Sequence, residues 1–325
     1  MQPESPVSKR TEDVSFAALP TDEDIHGYFE QLSNRHRWPD DDELGALNFI
    51  TAAKVISAAR LVRTGRHVSC ARRLDRSNTL SGGGDFLHFM IETGEGWNLP
   101  SKASISRREM AKDFVGLEIH GANTTHIDAL GHFVRGGRMY GGAPAEAISV
   151  NCGAIQGSIE AVRSGIVSRG VLLDIADLRG VPTIEPGDAI LPHELQEAER
   201  RARVRVESGD VVLIRTGTPI HMDNCRQLQA ASGLHAACLP WVHERQVSII
   251  FSDSWTDVVP SGLSIDLPVH RIAELAMGVR CTDSGDFEAL ASVCRAENRW
   301  EFMICMAPLR LQGATGSPIN PLAIF

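Results

Sequence analysis

The sequence predicts an α/β protein that is mostly one domain. Two observations carry this: four short apolar runs, each bounded by turn residues, and helical stretches lying between them. A third sets the scale, since 325 residues with 43% hydrophobic and 22% charged side chains can bury a substantial core.

Residues 1–20 are polar, Pro/Ser-rich and unpatterned, a loose tail. Thr21-Asp22-Glu23-Asp24 reads as a capping box opening a helix through about His36. Thr51 caps a second helix, in which Val55, Ala58, Ala59 and Val62 recur at helical spacing until Gly65. The acidic run 40–43 between them reads as a solvated loop, because like charges repel without a cation. Residues 21–66 therefore form an N-terminal helical segment, and 67–325 the main α/β body.

In that body, residues 170–175, 210–215, 247–251 and 302–306 suit strands buried on both faces. Helices are expected over 192–199, which opens on Pro192, and over 234–246, 270–277 and 286–295. Glycine-rich joints at 82–84, 136–137, 141–142 and 313–318 read as loops near a site. No internal repeat is present.

A net charge of −9 argues against nucleic acid or an anionic membrane surface as partner. No apolar run reaches the ~18 residues of a membrane span, and MQPESPVSKRTEDVS lacks the apolar stretch of a secretory signal. Seven cysteines, odd in number and without a CxxC pair, fit reduced thiols and a cytoplasmic protein.

The chemistry concentrates between Glu118 and Phe133, where His120, His126, Asp128 and His132 fall within thirteen residues. If this stretch is extended, residues 120, 122, 124, 126 and 128 share one face. His126 and Asp128 then lie about 6–7 Å apart at Cα, close enough to ligate one ion. Imidazole with carboxylate suits Zn²⁺ or Mn²⁺. His120 joins them only if the backbone bends, and His132, beyond a turn-like Leu130-Gly131, can return as a proton donor or acceptor.

This stretch resembles the cyclase family of metal-dependent hydrolases, which includes kynurenine formamidase, isatin hydrolase and a trans-dienelactone hydrolase. Its motif, His-x-Gly-Thr-His-x-Asp-x-Pro-x-His, is matched at Thr125, His126, Asp128 and His132. The resemblance implies metal ligation by His126 and Asp128 and proton transfer by His132. Its first ligand falls on Ala122, its Gly on Thr124 and its Pro on Leu130. Ala122 cannot ligate, so the site is rebuilt with His120 or water, weakened or lost. His270 and Asp283 look like the ligands of the family's second metal, Asp283 replacing a Glu that is one carbon longer.

Segments at 37–38, 42–48, 138–142, 169–174, 209–217 and 307–311 extend the resemblance from about residue 35 to the end. It implies a central mixed, barrel-like β-sheet flanked by helices, the swivelling β/β/α fold, with 67–325 as catalytic domain. It also implies a homodimer or homotetramer and bound Zn or Mn. Trp38, Phe86, Phe89, Tyr140 and Trp255 are candidates for an aromatic wall around a flat small-molecule substrate. No GxSxG elbow supports a serine hydrolase, and Gly82-Gly83-Gly84 is not a nucleotide loop.

Together these point to hydrolysis of an amide, cyclic imide or lactone by metal-activated water, with His132 as proton shuttle. Two other readings stay open: a metal-independent cyclase, dehydratase or isomerase using His126, Asp128 and His132 as acid–base groups, and a non-catalytic ligand-binding protein.

Overall fold

The computed structural model describes residues 19–74, 86–95, 110–218 and 230–325. Residues 1–18 of the expected tail, Gly82–Gly84 and Cys225, one of the seven cysteines, lie outside these. Thr21 closes its capping box as expected: its N–H donates to Asp24 Oδ2 at 2.8 Å, and Asp24 N–H returns to Thr21 Oγ1 at 3.3 Å. The helix Asp22–Gln31 stops short of His36. Asn34 takes over there, its backbone N–H and its amide bonding the carbonyls of Ala276 and Met277, both at 2.9 Å. Thr51 Oγ1 caps Ala52–Ala59, which ends before Gly65.

The strands are β1 (His67–Ser69), β2 (Phe86–Glu92), β3 (Lys112–Leu117), β4 (His126–Asp128), β5 (Ile148–Ser149), β6 (Gly153–Ala154), β7 (Ile166–Asp174), β8 (Ala189–Ile190), β9 (Val211–Arg215), β10 (Gly233–Leu234), β11 (Ile249–Ser252), β12 (Arg280–Asp283), β13 (Glu301–Met306), β14 (Gly316–Pro318) and β15 (Leu322–Ile324). Nine of them form one curled, half-barrel sheet in the order β1-β15-β13-β7-β9-β11-β12-β4-β14. The central strands β7, β9, β11 and β12 are parallel, and antiparallel pairs complete both sides. The mixed sheet flanked by helices is therefore present.

The four apolar runs became β7, β9, β11 and β13, each shifted by at most a few residues. Strand alternation divides them between two cores. Val171, Leu173, Val212, Ile214 and Ile250 pack against one layer, which includes Leu195, Trp241 and Val269. Leu172, Val211, Leu213, Ile249 and Phe251 face the other, with Phe287, Leu290 and Phe302. Both faces of the parallel centre are thus covered, which is why these strands read as continuous apolar runs.

Two helical expectations change. Residues 233–234 pair with β8 as β10, and the helix is only Leu239–Glu244. The helix Pro268–Ile272 passes into a π turn, Ala273–Met277. The extended reading of 120–128 is overturned for its first half. Only His126–Asp128 is strand; residues 119–124 turn, with Thr124 N–H bonding the Gly121 carbonyl at 3.1 Å. β2 and β3 form a separate antiparallel hairpin, rich in exposed apolar side chains, that no sequence signal announced.

Among the described residues, Cys70, Cys238, Cys281 and Cys294 are buried free thiols and Cys152 is exposed. No described helix is long and apolar enough to cross a membrane.

Candidate metal centre

β4 lies between β12 and β14, with His126 opposite Asp283 and Asp128 opposite Gly316. Residue alternation sends Ile127 into the core and leaves His126 and Asp128 on one face. The turns before β4 bring His120 back to that same face. Gly316 makes room for it, since a Cβ there would lie 2.8 Å from His120 Cε1 and 2.9 Å from the Ile127 carbonyl oxygen.

Three imidazoles converge on Asp128, and each has its outer nitrogen engaged. His126 Nδ1 is 2.7 Å from the Thr124 carbonyl, which can only accept, so Nδ1 carries the proton and Nε2 the lone pair. Nε2 stands 3.6 Å from Asp128 Oδ1. His120 Nε2 meets Thr315 Oγ1 at 3.1 Å, and its Nδ1 is 2.8 Å from Asp128 Oδ1. His270 Nδ1 lies 2.5 Å from Asp257 Oδ2, a carboxylate that also accepts the N–H groups of Val269 and His270. His270 Nε2 then faces Asp283 Oδ2 at 3.2 Å and Asp128 Oδ2 at 3.8 Å. An imidazole oriented by a carbonyl or carboxylate on its far side is the usual arrangement of a metal-ligating histidine.

The residues present fit a divalent cation. His120 Nδ1 and Asp128 Oδ1 are buried and close, yet neither has a hydrogen-bond partner. Two ligands bonded at about 2.0–2.2 Å to one ion would sit about 3 Å apart, as these atoms do. His120, Asp128 and His132 also hold one ligand atom each within 4.8 Å of one another, a group that could bind a metal. The bend before β4 brings His120 to the same face as His126 and Asp128, where Ala122 offers no ligand atom.

The electrostatics divide the groups. Burial raises the Asp128 carboxyl, but His120, then His126 and His132, outweigh it and hold the group well below the carboxylate range. Burial pushes His132 down to about 4, against the pull of Asp128, so it is neutral at pH 7. Its ring lies flat on that of His120, centroids 3.7 Å apart, with Phe133 at its edge. For His270, burial is outweighed by Cys281, Asp283 and Asp257, which raise it. Glu274, fully buried, is raised by burial and by Asp128.

The five aromatic candidates do not share one cavity. Trp255 lines a small pocket with Ala122, Arg72, Ser254 and Ser284, beside the histidines. Tyr140 lines a different one with the acidic run 40–43. Trp38 packs edge-on against Phe49. Phe86 stacks on His88, and Phe89 on Phe114, both on the hairpin. They are separated because they stand on different elements whose placement no local pattern encodes. The acidic run is only partly a solvated loop: Asp42 caps the turn at Gly45 and Asn48, each at 2.7 Å.

Sequence reasoning missed Asp257, Phe133, Thr315 and Glu274. Only Glu274 had a usable signal, as an acidic residue four positions after His270 in a largely apolar stretch.

Residues 48–257 match the model of the Cyclase family, described as "Putative cyclase". A crystal structure described as a novel cyclase is 30% identical, with a TM-score of 0.82 over 91% of this chain and 99% of that one. The chain belongs to the Cyclase family. Two further cyclase-fold structures are similar in fold. Isatin hydrolase A from Labrenzia aggregata, bound to benzyl benzoate, is 18% identical with a TM-score of 0.57, covering 83% of this chain and 97% of that one. The enzyme of the same name from Ralstonia solanacearum is 21% identical with a TM-score of 0.56, covering 84% and 97%. No protein of curated function matches this chain.

Proposed function

We propose that this cyclase is a metal-dependent hydrolase opening an amide, cyclic imide or lactone of a small aromatic or conjugated substrate. One observation carries the reading: three imidazoles with their outer nitrogens engaged point their inner nitrogens at one buried carboxylate. In this reading His120, His126 and Asp128 would hold one ion, zinc or manganese, and His270 and Asp283 a second.

A divalent cation supplies, when bound, an electrophile for a carbonyl oxygen and a water of lowered pKa. The protein residues do the rest. His132, neutral at pH 7 because of its burial, takes a proton from the attacking water and delivers it to the leaving nitrogen or oxygen. Trp255, in the pocket that Ala122 borders, offers a face to a flat substrate. The isatin hydrolases, which share the fold, act by their name on a cyclic aromatic amide, a substrate class this pocket is proposed to take.

A two-stranded hairpin is marginal in water unless something covers it. β2 and β3 leave Leu87, Phe89, Ile91 and Val115 about half exposed. A second copy of this chain is proposed to cover them, giving the expected homodimer or tetramer; light scattering of Phe89→Asp, expected to be monomeric, checks it. Reduced, buried thiols support a cytoplasmic setting.

The test is a hydrolysis panel of amides, cyclic imides and lactones, run with metal-stripped and Mn²⁺- or Zn²⁺-reloaded protein. Turnover restored by metal supports the proposal; turnover indifferent to metal favours acid–base chemistry by the same residues. The close grouping of His132 with His120 and Asp128 favours one competing role, that of ligand. His132→Ala is expected to lower kcat by about 10²–10⁴-fold with metal content unchanged. Lost metal would make His132 a ligand instead.

A further inference from the structure

An acidic chain can neutralise its arginines with its own carboxylates. Arg169, Arg179, Arg215 and Arg245 each hold a carboxylate oxygen within 3.1 Å. Arg35, Arg135 and Arg138 pair with none among the described residues, although the chain carries 41 aspartates and glutamates.

The backbone nevertheless packs these three together. Arg135 and Arg138 face each other across an antiparallel bridge, exchanging both backbone hydrogen bonds at 2.9 and 3.0 Å. Gly136 and Gly137, at φ of +57° and +74°, supply the left-handed turn between them. Directly opposed residues of such a pair put their side chains on one face, where like charges repel. Arg35 arrives from beyond the first helix and meets Arg138 at Gly142. Arg138 Nη1 donates to the Gly142 carbonyl at 2.9 Å, and a Cβ on Gly142 would lie 2.5 Å from Arg35 Nη2. The bare glycine thus lets two guanidinium groups close on one residue. Arg135 is held over Phe29, its Cζ 3.8 Å from the ring centre.

The three arginines line a groove of about 420 Å³, the size of a small-molecule site, with Met139, Leu275 and Ala276 as its apolar wall. Glu30 lines it too, but pairs with none of them. Three neighbouring cations are best matched by an acceptor with several charged oxygens. A phosphoryl group spreads a charge of about −2 over three oxygens, whereas a carboxylate has a single charge on two.

We propose that Arg35, Arg135 and Arg138 bind the phosphoryl group of a small molecule, either free phosphate or a phosphate monoester whose apolar part rests on Met139 and Leu275. The groove shares no lining residue with His120, His126, Asp128, His132, His270 or Asp283, so this site stands or falls apart from the metal-dependent reading.

Titration calorimetry on the full chain tests it, with inorganic phosphate, phenyl phosphate and benzoate as probes and EDTA present so that no divalent cation binds phosphate itself. Wild type is expected to bind one equivalent of phosphate, more weakly as salt rises. Tighter binding of phenyl phosphate supports a monoester as ligand, and tighter binding of inorganic phosphate supports the free ion. Arg138→Gln is expected to weaken both about 10–100-fold. All three arginines are exposed, so their replacement leaves the core untouched. Should Arg138→Gln still not fold, Arg35→Gln, on a separate element, is expected to give the same loss. No saturable binding to wild type, unchanged affinity in the variants, or benzoate bound as tightly as phenyl phosphate would overturn the inference.

Discussion

Two buried clusters of charge sit on the same sheet and are built in opposite ways. At the ends of β7 and β9 every charge is matched. Arg215 donates to Asp174 at 2.8 Å and twice to Glu288 at 2.9 Å. Arg169 grips Asp210 through two bonds of 2.9 and 2.6 Å, and Asp210 also accepts Glu207 N–H and pairs with Lys54. Around β4 and β12 the network is incomplete: His120 Nδ1 and Asp128 Oδ1 face each other at 2.8 Å without a well-formed hydrogen bond, and both oxygens of Glu274 are buried without a donor. A closed network is finished by the chain itself, whereas an open one is finished by something the chain binds.

Removing one partner of the closed network should have the largest effect on stability. Arg215→Ala takes the paired cation from Glu288 and leaves Asp174 only Arg295, and is expected to cost about 2–4 kcal/mol, read by urea unfolding. Glu274→Gln, in metal-free protein, is expected to change stability by less than about 1 kcal/mol, because burial and Asp128 already favour the neutral carboxyl and glutamine can donate in its place. Equal losses in the two variants would erase the distinction between the clusters.

Acid sharpens the contrast. His132 titrates at about 4 in the folded protein against 6.5 when free. A depressed value means its contribution is complete above pH 6.5 and is lost as pH falls through 4. That is about 2–3 kcal/mol, allowing for its partial exposure. In metal-free protein the stability advantage of wild type over His132→Asn should shrink by this amount between pH 7 and 4; parallel pH profiles would contradict it.

A further effect is steric. Gly316→Ala places a methyl against His120, at an expected cost of about 1–3 kcal/mol. It should also weaken metal binding by turning His120 away, which calorimetry would show.

The fold was legible because its centre obeys local rules. A strand buried on both faces writes itself as a short apolar run, and β9, β11 and the second half of β7 did so; β13, also an apolar run, instead alternates buried and half-buried residues. Thr21 and Thr51 announced their helices through cap chemistry, but not where those helices end, since Asn34 stops the first by bonding to residues 276 and 277. The candidate site was legible where its residues are close in sequence. His126 and Asp128 share a strand face, which a period of two reveals. His120 depends on a turn, and its recruitment in place of Ala122 required a bend that spacing alone does not specify. Asp257 and Thr315 meet their histidines only after β-strands from distant parts of the chain have paired. The aromatic wall was the least legible, because Trp38, Phe89, Tyr140 and Trp255 are brought near or apart by tertiary packing alone.

The metal content of EDTA-stripped protein reloaded with Mn²⁺, compared with Asp128→Ala treated identically, tests the central claim most directly. Wild type should retain at least one equivalent through dialysis and Asp128→Ala less than a tenth of that amount, about 10-fold or more below it. Folded wild type that retains no metal, or a variant that retains as much as wild type, would contradict the account.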